Sequence, residues 1–213
     1  HNRADLLLER CLPSVLGQTY QNLEILVMMH DPTWDQFIDM TLGKIILDER
    51  ITFIRVPRRH HYPMTPENRW FAGPVEPLNE ALKHVTGDWI ARIDDDDEWV
   101  PNHIEDCLEH ARLGGYEFVS AAHETHEGRV EPYKLDKATI GGTQTWLYRS
   151  YLKFFKWNPD CWRKERNKVN DTDISVRMMQ AGVRMGYLPA VHAKVLPRPG
   201  ETEVGLKAYT RKG

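Results

Sequence analysis

The stretch GDWIARIDDDDEWVP, residues 87–101, sets four consecutive aspartates, Asp94 to Asp97, at the end of an apolar run that reads as a buried strand. Like charges side by side repel, and the position of the run in the chain supplies a reason for collecting them. Upstream, LEILVMM (23–29) is an apolar run as long as a strand buried on both faces, ITFIRV (51–56) is a shorter one, and DWIARI (88–93) is the third. Helices separate them. WDQFIDMTLGKIILDE (34–49) and EPLNEALKHV (76–85) read as helices, the second ended by Thr86-Gly87, and RADLLLERCLPSVLGQ (3–18) is an amphipathic helix interrupted near Pro13. This alternation predicts an α/β sandwich around a mostly parallel sheet, in which ligands sit beyond the carboxyl ends of the strands. The aspartates occupy such an end.

Past them, Pro101 suits the first position of a helix over PNHIEDCLEHARLG (101–114), and YEFVSAA (116–122) reads as a strand. The rhythm then changes. From His123 to about Lys168 the chain is irregular, with IGGTQTWLYRSYL (140–152) in its middle, before a helix DISVRMMQAG (173–182) and a strand-like RMGYLPAVHAKVL (184–196). No repeat or low-complexity linker divides the chain. One domain is expected over 1–213, with a nucleotide-type half at about 1–100 and a substrate half at about 101–213.

Composition excludes several classes. The 213 residues are 41% apolar, ordinary for a soluble globular domain and incompatible with disorder. A net charge of −3 with both signs interspersed offers neither a nucleic-acid-binding stripe nor a polybasic membrane patch. Cys11, Cys107 and Cys161 are far apart and lack CxxC spacing, which fits a reducing compartment and argues against a disulfide framework or a thiolate zinc site. No apolar run approaches the roughly 18 residues a spanning helix needs, and no signal peptide is visible. The cytoplasm is expected.

Three readings of the aspartates compete. An EF-hand would place Asp94, Asp96, Glu98 and Glu105 at its ligand positions, but the glycine required at the sixth is Trp99, a proline follows, and a strand precedes it. A solvated acidic loop capping the next helix is the plain reading. The third is a divalent cation, whose charge cancels the repulsion and which prefers hard oxygen ligands. Downstream, NDTDISVRMMQAG (170–182) opens a helix with two more carboxylates, Asp171 and Asp173. They suit a general base or an N-cap equally.

LNEALKHVTGDWIARIDDDDEWVP (78–101) resembles the family 2 glycosyltransferases of the Rossmann-like GT-A fold. Their pattern runs from an Asn-containing helix through a Gly-acidic-aromatic turn and an apolar strand to Asp-x-Asp-Asp, an aromatic and Pro. HNRADLLLERCLPSVLGQTYQNLEILV (1–27) is similar to the family's opening, with His1 where Tyr is usual, and implies a first strand immediately before His1. MHDPTWD (29–35) resembles the base-binding loop in degenerate form, keeping Asp31 and Asp35. NDTD is similar to the opening of the catalytic helix, with Asn170 in place of Glu, and VLPRPGETEVG (195–205) to the loop near the diphosphate.

The resemblance implies an inverting transfer of a sugar from a nucleotide-sugar donor, UDP-linked, to a hydroxyl of a glycan or lipid-linked acceptor in polysaccharide biosynthesis. It implies Mn or Mg held by Asp94 and Asp96, and donor contacts from His1, Arg3, Asp31, Asn79, Asp94, Asp95 and Arg198. Asp171 is the implied base, and the single carboxylate without an evident nucleophile agrees with one displacement and inversion. The place of action would be the cytoplasm, free or at the inner face of the membrane. IGGTQTWLYRSYL would form part of the pocket, its glycines allowing close backbone approach and Trp146 belonging to core more readily than to pocket. His192 reads as a strand residue. The rivals are a sugar-phosphate nucleotidyltransferase, whose Gly-rich phosphate loop would lie in a region this sequence does not contain, and a non-catalytic sugar- or Ca-binding module.

Overall fold

Helix α1 joins Ala4–Leu6 and Leu12–Leu16 through a π-helical turn, Leu7–Cys11. Pro13 has no N–H to return along the helix, and the Leu12 N–H bonds Leu7 O, five residues back, so the ladder slips by one residue and continues. This computed structural model describes residues 4–30, 48–57, 62–166 and 168–210. Strands β1 (Ile25–His30) and β2 (Ile51–Val56) pair in parallel, Ile25 opposite Ile51 and His30 opposite Val56. The helix expected over 34–49 falls almost wholly outside the described residues.

Helix α2 (Pro66–Ala72) starts where the Thr65 hydroxyl accepts the Asn68 N–H at 3.1 Å, and α3 (Val75–His84) buries Val75 and Leu82. Then come β3 (Trp89–Ala91), β4 (Asp97–Trp99), α4 (His103–Gly114), β5 (Phe118–Thr125) and the short strands β6 (Gly128–Arg129), β7 (Tyr133–Lys134) and β8 (Thr139–Ile140). Strand β9 (Leu147–Arg149), helix α5 (Asn170–Gln180), strand β10 (Met185–Val195) and helix α6 (Gly205–Thr210) complete the described chain. No helix among the described residues is long and apolar enough to cross a membrane.

The main sheet runs β3-β9-β5-β10-β4, with β6 on the end of β5. It is mixed, which corrects the expectation of a mostly parallel sheet: β5 and β10 are parallel, whereas β9 is antiparallel to β3 and β5, and β4 is antiparallel to β10. The short strands cause the difference. A parallel neighbour is usually reached through a crossover helix, and the irregular segment 126–146 before β9 contains no α-helix, so β9 enters antiparallel. Gly141 is where that segment meets the sheet, because a Cβ there would stand 1.8 Å from Ala121 O. The close approach expected of Gly141-Gly142 is thus made to the protein's own strand.

Two apolar clusters fill the space around the sheet. One joins α1, β1 and α4, and the other joins α3, β9 and α5 around Phe118, Trp146 and Trp157. Between β1 and β3 lies a cavity of about 1240 Å³, walled by Val15, Val27, Met29, Leu82 and Ile90. Among the described residues β1 pairs only with β2, and β3 only with β9.

Candidate active site

The aspartates leave β3 through a tight turn. The Asp97 N–H bonds Asp94 O at 3.2 Å, and Asp97 then enters β4 against Val195 of β10. Long-range bonds fix the exit. The Trp99 N–H reaches Ser14 Oγ at 3.1 Å and its indole N–H reaches Gln144 O at 2.6 Å. Gln18, fully buried, donates to Val100 O at 2.8 Å and accepts from the Ile104 N–H at 3.0 Å, so the end of α1 satisfies the open start of α4. Arg10 donates to Asp96 O at 2.9 Å, bringing a cation to the turn from beneath. These contacts give the motif-like GQTY segment a mechanical task.

The four carboxylates have different surroundings. Asp94, with 43% of its side chain exposed, accepts from Arg92 Nη2 at 2.5 Å. Asp95 lines the cavity mouth with Asp94 and Arg92. Asp96 accepts from Arg198 Nε at 2.7 Å, and Arg198 in turn donates to the Tyr209 hydroxyl of α6 at 3.2 Å. Asp97 is buried, and that burial, with the charges of Asp94 and Asp96, raises its pKa well above the carboxylate range. The Cys11 thiol below is raised by burial and by the same charges, so it stays protonated. The structure therefore brings Asp94, Asp95, Asp96 and Arg198 to one turn.

Among the described residues no three His, Cys, Asp or Glu side chains form a ready metal cage. The donor set nevertheless fits the implied ion. Mg-type sites use one or two carboxylates and leave the remaining positions to water and substrate phosphates, and Asp94 and Asp96 offer that pair.

Asp171 stands in the first turn of α5. No side chain caps this helix. Asn170 accepts from the Asn158 N–H at 2.9 Å and donates to Phe71 O at 3.2 Å, tying the helix to α2. Asp173 is held by Lys164 and by Arg177, whose Nε lies at 3.0 Å. One carboxylate of the NDTD pair is thus neutralised and structural, and the capping alternative has no bond to support it. The other is tuned: burial pushes the pKa of Asp171 up to about 6, Arg92 pulls it down, Asp94 pushes it up, and a hydrogen bond from Thr143 pulls it down. Asp94 and Asp171 also hold the buried Arg92 guanidinium above its usual range against the cost of its burial. The strand end and the helix start therefore act on one cation.

Other expected residues lie elsewhere. Asn79 clamps the Trp157 backbone, donating to its O and accepting from its N–H, both at 2.9 Å, and is not among the residues walling the cavity. His1, Arg3 and Asp31 lie outside the described residues. Trp146 is core, with its indole N–H on Gly141 O at 2.9 Å, and the Arg149 guanidinium covers the Trp89 ring at 4.2 Å. His192 is a buried residue of β10, as read. Arg92, Thr143, Arg10 and Gln18 escaped the sequence reading. Only Arg92 carried a signal, a full charge inside an apolar strand.

The sequence profile described as Glycosyl transferase family 2 matches residues 1–184. The putative colanic acid biosynthesis glycosyl transferase WcaA of Escherichia coli K12 is 30% identical over 197 positions, covering 84% of this chain and 63% of that protein. The Escherichia coli UDP-Glc:alpha-D-GlcNAc-diphosphoundecaprenol beta-1,3-glucosyltransferase WfgD is 32% identical over 104 residues, 48% of this chain and 34% of its own length. The chain thus spans less than two thirds of either relative. In fold it is similar to S. aureus TarS 1-349, solved in complex with UDP-GlcNAc, at a TM-score of 0.62 and 15% identity, over 97% of this chain and 58% of that one. The likeness to TarS shows a shared GT-A architecture, and the profile match shows that the chain belongs to glycosyl transferase family 2.

Proposed function

We propose that the chain is the catalytic domain of an inverting glycosyltransferase that moves a sugar from a UDP-linked donor to a hydroxyl of a glycan or lipid-linked acceptor. The observation that carries this reading is the coupling of Asp94, at a strand end beside the cavity, and the half-buried Asp171 to the same Arg92 guanidinium. The names of the relatives favour the substrate class: WfgD is named for a UDP-glucose donor and a diphosphoundecaprenol-linked acceptor, and TarS was solved with UDP-GlcNAc.

The chemistry follows from charge. An acceptor hydroxyl is inert at neutral pH and must lose its proton as it attacks the anomeric carbon, and a carboxylate with a pKa near 6 is ionised at pH 7 yet basic enough to take it. Departure of a nucleoside diphosphate develops negative charge on the opposite side. Arg198, 2.7 Å from Asp96, stands ready there as a cation. Asp94 and Asp96 would hold Mn or Mg, which when bound supplies charge neutralisation for the leaving group. A cytoplasmic site of action, free or at the inner membrane face, belongs to this proposal. So does the division at about residue 100 into donor and acceptor halves.

The test is product identity. Incubated with nucleotide sugars and Mn or Mg, the chain should release nucleoside diphosphate. Release of pyrophosphate from a nucleoside triphosphate and a sugar phosphate would make it a nucleotidyltransferase, and binding without release would make it a recognition module.

A further inference from the structure

A guanidinium buried in an apolar strand is costly unless its donors are engaged. Arg92 follows β3 with only 12% of its side chain exposed, and each engaged nitrogen leads to the site. Nη2 bonds Asp94 at 2.5 Å, and Nη1 donates to the hydroxyl of Thr143, a side chain that favours the ionised form of Asp171. The Trp157 ring, whose backbone Asn79 clamps, lies 5.7 Å from the guanidinium carbon, and Nε is buried without a partner among the described residues. A lysine could not make the two divergent bonds with one nitrogen at these places.

We propose that Arg92 is a positioning residue of the transferase site, one rigid fork that orients Asp94 directly and Asp171 through the Thr143 hydroxyl. The inference rests on the proposed function and deepens it, because it ties the donor-side carboxylate to the acceptor-side base. Its electrostatic consequence is definite. Burial and Asp94 drive Asp171 toward the protonated form, and Arg92 with Thr143 opposes them. The remaining groups facing Asp171 are Tyr133 of β7, whose hydroxyl lies 3.4 Å from Asp171 O, and, on α5 itself, Asp173, already matched by Lys164 and Arg177. Removing Arg92 leaves none of these to replace it.

The test reads the Asp171 carboxyl carbon by NMR, assigned by its loss in Asp171→Asn, together with the pH profile of kcat/KM for UDP release. In Arg92→Met the Asp171 midpoint should rise by about one pH unit, and the acid limb of the profile should move with it, a loss of up to about tenfold at pH 6. Arg92→Lys should restore part of the shift. A folded Arg92→Met protein with an unmoved Asp171 midpoint overturns the proposal. If Arg92→Met does not fold, Thr143→Val is measured instead: a raised midpoint supports the relay and an unchanged one ends it. A shifted midpoint in a chain that releases no UDP would sink the proposed function and leave the Arg92 linkage standing.

Discussion

The two halves of the molecule differ in how they are closed. Around β5 the strand has a partner on both sides, β9 and β10, and its side chains are engaged: Phe118 packs edge-on to Trp146, Thr145 bonds the Ala121 N–H at 3.0 Å, and Ser120 accepts from the Gly141 N–H at 3.0 Å. Around β1 the apolar faces of Val27 and Met29 border the 1240 Å³ cavity, and β1 has a strand partner on one side only among the described residues. The difference assigns different tasks. The β5 side is a rigid mount for Asp171, whereas the β1 side has space whose walls end at Asp94 and Asp95.

Metal-dependent donor binding gives the largest contrast. Asp96→Asn should lower donor affinity in Mn by at least 10–100-fold in a calorimetric titration, the scale seen when even an outer partner of a metal ligand is lost. Unchanged Mn dependence would remove the donor site from this turn. Core truncations come next. Phe118→Ala should cost about 3–5 kcal/mol in urea unfolding, while Met29→Ala, beside space that already exists, should cost about 2 kcal/mol, the low end for Met. Equal losses would erase the distinction between the halves.

Acid pH should then strain the packing between α4 and β10. His103, under the Trp99 ring and beside His192, is pushed down to about 3 by burial, and His192 is lowered by burial as well. His103 stays neutral in the fold down to about pH 3, whereas in the unfolded chain it takes up a proton below about 6.5, so stability falls as pH drops across that window, by up to about 1.4 kcal/mol per pH unit, and the lowered His192 acts in the same direction. His103→Gln should flatten that slope in unfolding measured between pH 7 and 5. The smallest effect is local: amides of Leu26–Met28 should exchange with deuterium faster than those of Val119–Ala121, because openings begin where pairing is incomplete.

The long apolar runs made β1, β2 and β5 legible, and apolar spacing with turn signals did the same for α3, α4 and α5. β4 and β9 were not. Asp97-Glu98-Trp99 opens with two residues depleted in strands and becomes a strand by pairing with β10, a tertiary override that no local pattern announces. The site divided in the same way. Asp94, Asp96 and Asp171 stood out as charge collected where it should repel or at a helix start. Asn79 looked like a ligand, yet its amide serves the Trp157 backbone, because an Asn on a helix carries no mark of which partner it will meet. Thr143 acquires its role only when a segment some fifty residues beyond Arg92 folds against it, a distance shown by their bond.

In the proposed reaction Asp171 takes a proton from the acceptor without holding the donor. With UDP-sugar and Mn, Asp171→Asn should bind donor as tightly as the native chain and lose about 10²–10⁴-fold in transfer. Weakened donor binding with transfer retained would contradict it.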